Sequence, residues 1–212
     1  MDKAYFISQG ETTEQQLQCI TAVCGAGGHL IQLRMKEIEK TVFLKTAEKA
    51  KVICDAFGSQ LIINDSISVA KAIGAAGVHL GKHDANPTEA RELLGNNCII
   101  GATANTLEDC LRLSKTPIDY IGLGPFKFTE TKKNLDPILG LEGYQTICQV
   151  LKQQNIELPV YAIGGITTAN IPQLTETGIY GIALSGALVK KSAEEIKKTL
   201  GLCRANLETK VS

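Results

Sequence analysis

Short apolar runs alternate with longer amphipathic segments along almost the whole chain. Each apolar run predicts a buried strand. Each longer segment repeats its apolar residues three and four positions apart, which predicts a helix. The clearest helix runs through Phe43, Ala47, Ala50 and Cys54 and closes at Gly58. The eight predicted strands cover residues 4–8, 29–35, 60–63, 77–80, 98–101, 119–123, 159–163 and 178–184.

Eight strand-then-helix units in a chain of 212 residues match the size of a single α/β domain, the (β/α)8 TIM barrel. An open, doubly wound sheet is the competing architecture. We favour the barrel because eight is the closing number of strands and no GxGxxG motif follows the first strand. One domain is therefore expected over residues 1–212, with a frayed tail at 209–212.

Composition narrows the class of function. Acidic and basic residues balance at 22 each, which gives no electrostatic reason to expect a nucleic-acid partner. No apolar run reaches the length of a membrane span, about 18 residues, and the N-terminus has no signal-peptide pattern. The seven cysteines have no CxxC spacing, so we expect reduced thiols in a cytoplasmic protein. Homo-oligomer formation stays open.

Barrel active sites lie where strands end and the following loops begin, so polar residues at those points are the candidates. Gln32, Arg34 and Lys36 come at alternate positions at the end of the second strand. Two cations there form a clamp of the size of a diphosphate, and arginine can bind it through two hydrogen bonds. The alternative interpretation is a strand end that is simply solvated. We consider it the weaker interpretation because side chains that point into a barrel rarely carry a charge without a binding partner.

Oxygen ligands follow the next two strands. Asn64 and Asp65 end the third strand, and Asp84 lies on the loop after the fourth. Two carboxylates beside a carboxamide predict a Mg²⁺ site whose remaining ligands are substrate phosphates and water. Each residue also has an ordinary structural explanation. Asp65 could cap the following helix, and Asp84 could belong to a turn before Pro87.

The loop after the sixth strand is the most distinctive segment. It begins at Gly124-Pro125 and carries Thr129, Thr131 and Lys132. Two hydroxyl donors and an ammonium group beyond a buried strand predict an anion-binding loop.

Further small polar residues follow strands 5, 7 and 8. Thr103 either contacts a ligand or caps a helix. Gly165 and Ser185 lie on the two loops that cradle a phosphate in many (β/α)8 barrels, although such glycines also serve tight turns.

These candidates together imply two phosphate-bearing ligands, one of them a diphosphate on Mg²⁺. No serine or cysteine nucleophile with a histidine base is evident, and no lysine sits where it could form a Schiff base. The chemistry predicted is displacement of pyrophosphate, with Lys132, Arg34 and Lys36 stabilising the departing charge.

The motifs that carry these residues resemble those of the thiamine-phosphate synthase (thiamine-phosphate pyrophosphorylase) family over residues 4–190. They are IQLRMK at 31–36, IINDSISVAKAIGAAGVHLGKHD at 62–84, IGATANT at 100–106, DYIGLGPFKFTETKKN at 119–134, YAIGGI at 161–166 and GIALSGAL at 181–188. The chain departs from the family pattern at Lys82, where many members have glutamine, and in the bulky Phe126-Lys127-Phe128.

The resemblance implies a reaction. The diphosphate of 4-amino-5-hydroxymethyl-2-methylpyrimidine loses pyrophosphate by a dissociative path, and the nitrogen of 4-methyl-5-(2-phosphoethyl)thiazole captures the pyrimidine carbocation. Thiamine phosphate is the product, and Mg²⁺ is the cofactor.

The resemblance also implies roles for the site residues. The residues implied to bind the pyrimidine diphosphate are Gln32, Arg34, Lys36, Asn64 and Lys132. Asp65 and Asp84 would be the metal ligands, and Thr103 stands at a position that usually holds a small hydroxyl residue. The residues implied to bind the thiazole phosphate are Thr129, Thr131, Gly165 and Ser185.

Two other functions stay open on the same barrel. One is a thiazole tautomerase-like enzyme, which would need no diphosphate clamp. The other is a non-catalytic regulator that only binds a ligand. The T-x-T-K sequence ending at Lys132 and the Asp65/Asp84 pair argue against the first of these.

Overall fold

A computed structural model of the protein describes residues 1–128 and 137–208, with side chains up to residue 205. Eight parallel strands close into one barrel in chain order, and the first strand pairs with the last. The strands are β1 Ala4–Ile7, β2 Leu30–Leu33, β3 Gln60–Asn64, β4 Gly77–Leu80, β5 Ile99–Ala104, β6 Tyr120–Leu123, β7 Val160–Ala162 and β8 Gly181–Leu184. The predicted (β/α)8 barrel and its eight strands are confirmed.

A helix follows every strand and covers the outside of the barrel. The helices are α1 Thr13–Gly25, α2 Lys40–Ala56, α3 Ile67–Ile73, α4 Pro87–Leu94, α5 Leu107–Leu113, α6 Gly140–Gln153, α7 Ile171–Thr175 and α8 Ala193–Glu208. A 3-10 turn at Thr168–Asn170 leads into α7. The expected fraying of residues 209–212 falls outside the described residues.

Three predicted strand boundaries shift by two or three residues, and several others shift by one residue. β2 ends at Leu33, so Arg34 and Lys36 lie beyond the sheet. β5 extends to Ala104 because Thr103 and Ala104 stay paired with Gly122 and Leu123 of β6, so Thr103 is a strand residue. β8 begins at Gly181, three residues later than predicted, because Gly178 has a φ of 93° that a strand does not accommodate.

Side chains alternate between an outer layer, packed under the helices, and the barrel interior. The interior cluster is Tyr5, Ile7, Leu30, Ile62, Tyr120, Tyr161 and Ala183. Three tyrosine rings meet there edge to face, with centroids 5.3 to 5.7 Å apart.

All seven cysteines carry free thiols. Within residues 1–128 and 137–208, none of the helices combines the length and the apolar character that crossing a membrane requires.

Candidate functional site

The structure brings Asp65 and Asp84 together at the carboxyl ends of β3 and β4. Both carboxylates lie against the same face of Gly81. A Cβ placed on that glycine would lie 2.7 Å from Oδ2 of Asp84 and 3.9 Å from Oδ1 of Asp65. Gly81 therefore leaves the space in which two acidic side chains from different strands approach one another.

Neither carboxylate serves as a helix cap. Ser66 caps α3 by accepting the backbone N–H of Val69 at 3.3 Å, and Asn86 caps α4. The alternative explanation of Asp65 as an N-cap is therefore wrong. Asp84 does take part in a turn, since its Oδ2 accepts the N–H of Gly81 at 2.7 Å.

Lys36 forms an ion pair with Asp65 and is 51% exposed. Burial raises the pKa of Asp65, and the neighbouring carboxyl of Asp84 raises it further, whereas Lys36 lowers it. Ionisation of the Asp65 carboxyl is therefore unfavourable in the folded protein, although the ammonium of Lys36 is in contact with it. Two crowded carboxylates that attract a cation have the donor chemistry that a hard divalent ion requires.

The raised pKa of Asp65 leads to a prediction about stability. The folded, ligand-free protein holds a proton on this carboxyl more tightly than the unfolded chain does. Stability is therefore lost as pH rises from the ordinary value, 3.8, through the raised pKa. We expect Asp65→Asn to raise the Tm of the metal-free protein, and by more at about pH 8 than at about pH 5.

Thermal denaturation in the presence of a chelator measures this effect. Asparagine also suits the backbone of Asp65, whose φ is 64°, so the substitution adds no strain. A lower Tm for Asp65→Asn at the higher pH would show that the ion pair with Lys36 outweighs burial and Asp84.

Arg34 is half-buried at the rim of the barrel, immediately beyond β2. Its backbone N–H donates to the Ser8 hydroxyl at 3.0 Å, and its carbonyl accepts from the Gln16 amide at 3.2 Å. Partial burial lowers the pKa of the guanidinium, and the nearby charge of Asp65 opposes that effect. The guanidinium thus extends from a backbone held by two hydrogen bonds, and its charge interacts with that of Asp65.

Gln32 points into the barrel interior and is only 1% exposed. Its Nε2 donates to the hydroxyl of Tyr5 at 2.5 Å. Asn64 is also buried and lies opposite His79 of β4 in the parallel register. Both carboxamides are thus buried near the carboxyl ends of β2 and β3, close in sequence to Arg34 and Asp65.

Thr103 is half-buried at the end of β5. Its hydroxyl lies 3.0 Å from Nε2 of His79. The cap of α5 is Thr106, which accepts the N–H of Asp109 at 3.2 Å, so the explanation of Thr103 as a helix cap is wrong.

The two glycines after β7 pack against the start of the loop after β6. Gly164 and Gly165 have φ values of 93° and 68°. A Cβ on Gly165 would come within 2.8 Å of the Lys127 carbonyl, and the Gly164 carbonyl accepts the N–H of Lys127 at 3.1 Å. The turn needs glycine for conformation and for close approach of this loop, and phosphate binding by Gly165 stays a prediction.

Ser185 donates its hydroxyl to Oε1 of Gln9 at 3.3 Å. Gln9 lies in the loop after β1, so this contact joins the first and last strands at the rim. The sequence reasoning missed Gln9, although the same rule could have found it, since it is a polar residue just beyond a strand.

Two residues that depart from the family pattern, Lys82 and Lys127, have partners other than the carboxylate pair. Lys82 forms an ion pair with Asp109 of α5 at 2.6 Å. The ammonium of Lys127 lies 5.4 Å from the centre of the Phe126 ring, which is buried.

Three predicted residues, Thr129, Thr131 and Lys132, lie outside the described residues. In the part of the chain that the structure does describe, no three histidine, cysteine, aspartate or glutamate side chains come together as metal ligands. Any metal there would have to complete its coordination with substrate and water.

Comparison with known proteins shows that the chain is similar to the members of one enzyme family. The family profile for thiamine monophosphate synthase matches residues 4–188. The chain is 48% identical to the thiamine-phosphate synthase of Flavobacterium johnsoniae over 196 residues, 92% of each protein. It is 48% identical to the enzyme of the same name from Bacteroides thetaiotaomicron over 176 residues, 82% of this chain and 84% of the relative.

A solved structure agrees. The thiamine phosphate pyrophosphorylase of Pyrococcus furiosus superposes with a TM-score of 0.82 at 27% identity, covering 99% of this chain and 97% of that one.

Proposed function

This chain belongs to the thiamine monophosphate synthase family, and we propose that it makes thiamine phosphate and pyrophosphate. Its substrates would be 4-amino-5-hydroxymethyl-2-methylpyrimidine diphosphate and 4-methyl-5-(2-phosphoethyl)thiazole. One structural observation carries the proposal. Two crowded carboxylates, Asp65 and Asp84, lie at one rim of the barrel beside the cations of Arg34 and Lys36.

The diphosphate would bind to the cations at this rim. Arg34 offers a planar fork of donors that suits phosphate oxygens, and Lys36 and Lys132 add point charges. Gln32 and Asn64 would contact the same substrate. Lys36 is largely exposed, so it can leave Asp65 and reach a phosphate with little rearrangement of the core.

Asp65 and Asp84 would hold Mg²⁺. The donor set fits, because both side chains are carboxylates that approach one another at Gly81, and burial first and the Asp84 carboxyl second raise the pKa of Asp65. Bound there, the ion would neutralise charge on the diphosphate and make it a better leaving group.

The protein's own task is then to stabilise departing charge and to exclude water. Arg34, Lys36 and Lys132 would bind the leaving pyrophosphate more strongly as its charge grows, which favours a dissociative displacement. Thr129, Thr131, Gly165 and Ser185 would hold the phosphate of the thiazole so that its ring nitrogen faces the pyrimidine methylene.

The free thiols bear on the cellular compartment in which the protein works. Seven free cysteines, five of them buried, favour a reducing compartment, and we propose the cytoplasm. Homo-oligomer formation stays open.

An assay of the purified protein with both substrates and Mg²⁺ tests the proposal. We expect thiamine phosphate and pyrophosphate to appear together, and omission of Mg²⁺ or of either substrate to stop the synthesis. If the protein bound both substrates but formed no product, the alternative of a ligand-binding regulator would replace this proposal.

A further inference from the structure

Five side chains inside the barrel form one continuous hydrogen-bond network. Gln32 donates to Tyr5 at 2.5 Å, and the hydroxyls of Tyr5 and Tyr120 lie 2.9 Å apart. The Tyr120 hydroxyl lies 3.0 Å from Nδ1 of His79, and Nε2 of His79 lies 3.0 Å from the Thr103 hydroxyl. This interior network joins β2, β1, β6, β4 and β5, and it ends at the rim.

The sequence makes room for the rings in the network. A Cβ on Gly101 would lie 2.0 Å from the Tyr120 ring, and one on Gly122 would lie 2.9 Å from the His79 ring. Any side chain at either glycine would therefore displace a network member. Tyr5, Tyr120 and His79 are each at most 6% exposed, so solvent does not offer them competing partners.

The two phenols are neutral links. Burial raises the pKa of Tyr5 and of Tyr120 above the ordinary value for tyrosine. Each hydroxyl therefore keeps one hydrogen to donate, and each also accepts one hydrogen bond.

The network can run in two directions, because either tyrosine hydroxyl can be the donor and the roles of the His79 nitrogens depend on its tautomer. In the direction that begins at Gln32, its Nε2 group donates to Tyr5 and Tyr5 donates its own hydrogen to Tyr120. Tyr120 then donates to Nδ1 of His79, which places the imidazole hydrogen on Nε2.

The last link decides what the network presents at the rim. In the direction that begins at Gln32, the Nε2–H of His79 donates to the Thr103 hydroxyl, so the hydrogen of that hydroxyl is directed elsewhere. Thr103 is half-buried at the carboxyl end of β5, where the substrates are proposed to bind. If the network ran in the opposite direction, Thr103 would donate to His79 and offer a ligand only lone pairs.

We propose that Gln32, Tyr5, Tyr120 and His79 are positioning residues that fix the Thr103 hydroxyl as a hydrogen-bond donor to the anionic diphosphate substrate. This assignment rests on the proposed function, since it names the group that the donor serves. Thr103 is the catalytic residue of the set. Tyr5, Tyr120 and His79 act only through it, whereas Gln32 is also assigned to the substrate itself.

The tautomer of His79 in the free protein tests the direction without any turnover. The chain has three histidines, so nitrogen-15 NMR of the imidazoles gives a small set of signals, assigned with His29→Gln and His83→Gln variants. At about pH 8, where an ordinary histidine is neutral, we expect the Nε2–H form of His79. The Nδ1–H form would overturn the proposal.

Tyr120→Phe tests the role of the network. Removing this hydroxyl takes away the donor proposed for Nδ1 of His79, so the Nδ1–H form should gain population in the NMR spectrum. We expect kcat to fall about tenfold, less than the roughly 100-fold loss for removal of a whole oriented donor in Thr103→Val. Thr103→Ser keeps the hydroxyl and should retain most of the activity.

Tyr161→Phe is the matched control. Its ring packs against both Tyr5 and Tyr120, but its hydroxyl donates to the Asp2 carbonyl at 2.5 Å and takes no part in the network. We expect neither kcat nor the His79 tautomer to change in this variant. An equal loss of kcat in both tyrosine variants would mean that packing, not direction, explains the effect.

A double-mutant cycle gives the final discrimination. If Tyr120 acts only through Thr103, Tyr120→Phe should cost nothing further in a Thr103→Val background. A full additional tenfold loss in that background would overturn the proposal. Failure of the proposed function can be distinguished from failure of this inference. If the proposed function were wrong, the wild-type protein would form no thiamine phosphate, whatever the tautomer of His79.

Discussion

Asp84→Asn is expected to lower kcat/KM at fixed Mg²⁺ by at least about 100-fold, because it removes one of two carboxylates assigned to the metal. Asparagine keeps an oxygen that can accept the Gly81 N–H, so the turn seen in the structure should survive. The loss should therefore come from charge alone. Raising the Mg²⁺ concentration should recover part of the activity, which a misfolded variant would not show.

Asp55→Asn is the control for this substitution. Asp55 lies on the exposed surface of α2, where it pairs with Lys51 at 2.6 Å, and it is assigned no role at the metal site. We expect unchanged kinetics and an unchanged dependence on Mg²⁺. If Asp84→Asn behaved like Asp55→Asn, Asp84 would be a turn residue and not a metal ligand.

Lys132→Ala is expected to lower kcat by roughly 100- to 1,000-fold while changing the KM for the thiazole phosphate little. The reason is chemical, since a lysine that contacts the leaving pyrophosphate gains most of its interaction as charge develops in the transition state. Steady-state kinetics with each substrate varied in turn separates the two parameters.

The neighbouring Lys133 supplies a matched control, since it is the same residue type at the next position of the sequence and is assigned to neither substrate. Lys133→Ala should leave kcat within about twofold of the wild type. A rise in the KM for the thiazole phosphate alone in Lys132→Ala would move that lysine to the other substrate.

The barrel could be predicted because its signals are local. The apolar runs that form the strands and the amphipathic segments that form the helices are each visible within a few residues. The rule that sites gather at the carboxyl ends of strands then placed Asp65 and Asp84 at one rim, where the structure has them.

The interior network could not be predicted in the same way. Tyrosine in a strand counts toward the apolar pattern, so periodicity hides its hydroxyl. The Tyr5 and Tyr120 hydroxyls also meet across 115 positions of sequence, a relation that only the closed barrel creates. Gln32, from the sequence a residue of the diphosphate clamp, turns out to donate into this network.

Strand boundaries limited the prediction at Thr103. The sequence ended the fifth strand at Gly101, since small polar residues follow it. Pairing with β6 continues through Ala104, with Thr103 opposite Gly122 and Ala104 opposite Leu123. Neighbouring strands, which a local pattern does not contain, decided where this one ends.

The ratio of the two products tests the central claim most directly. A displacement in which the thiazole nitrogen captures the pyrimidine at a protected site yields one thiamine phosphate for every pyrophosphate. We predict that ratio at saturating thiazole phosphate and Mg²⁺, followed by chromatography and a coupled pyrophosphate assay. Release of pyrophosphate without a matching amount of thiamine phosphate would contradict the account, since water would then be the acceptor.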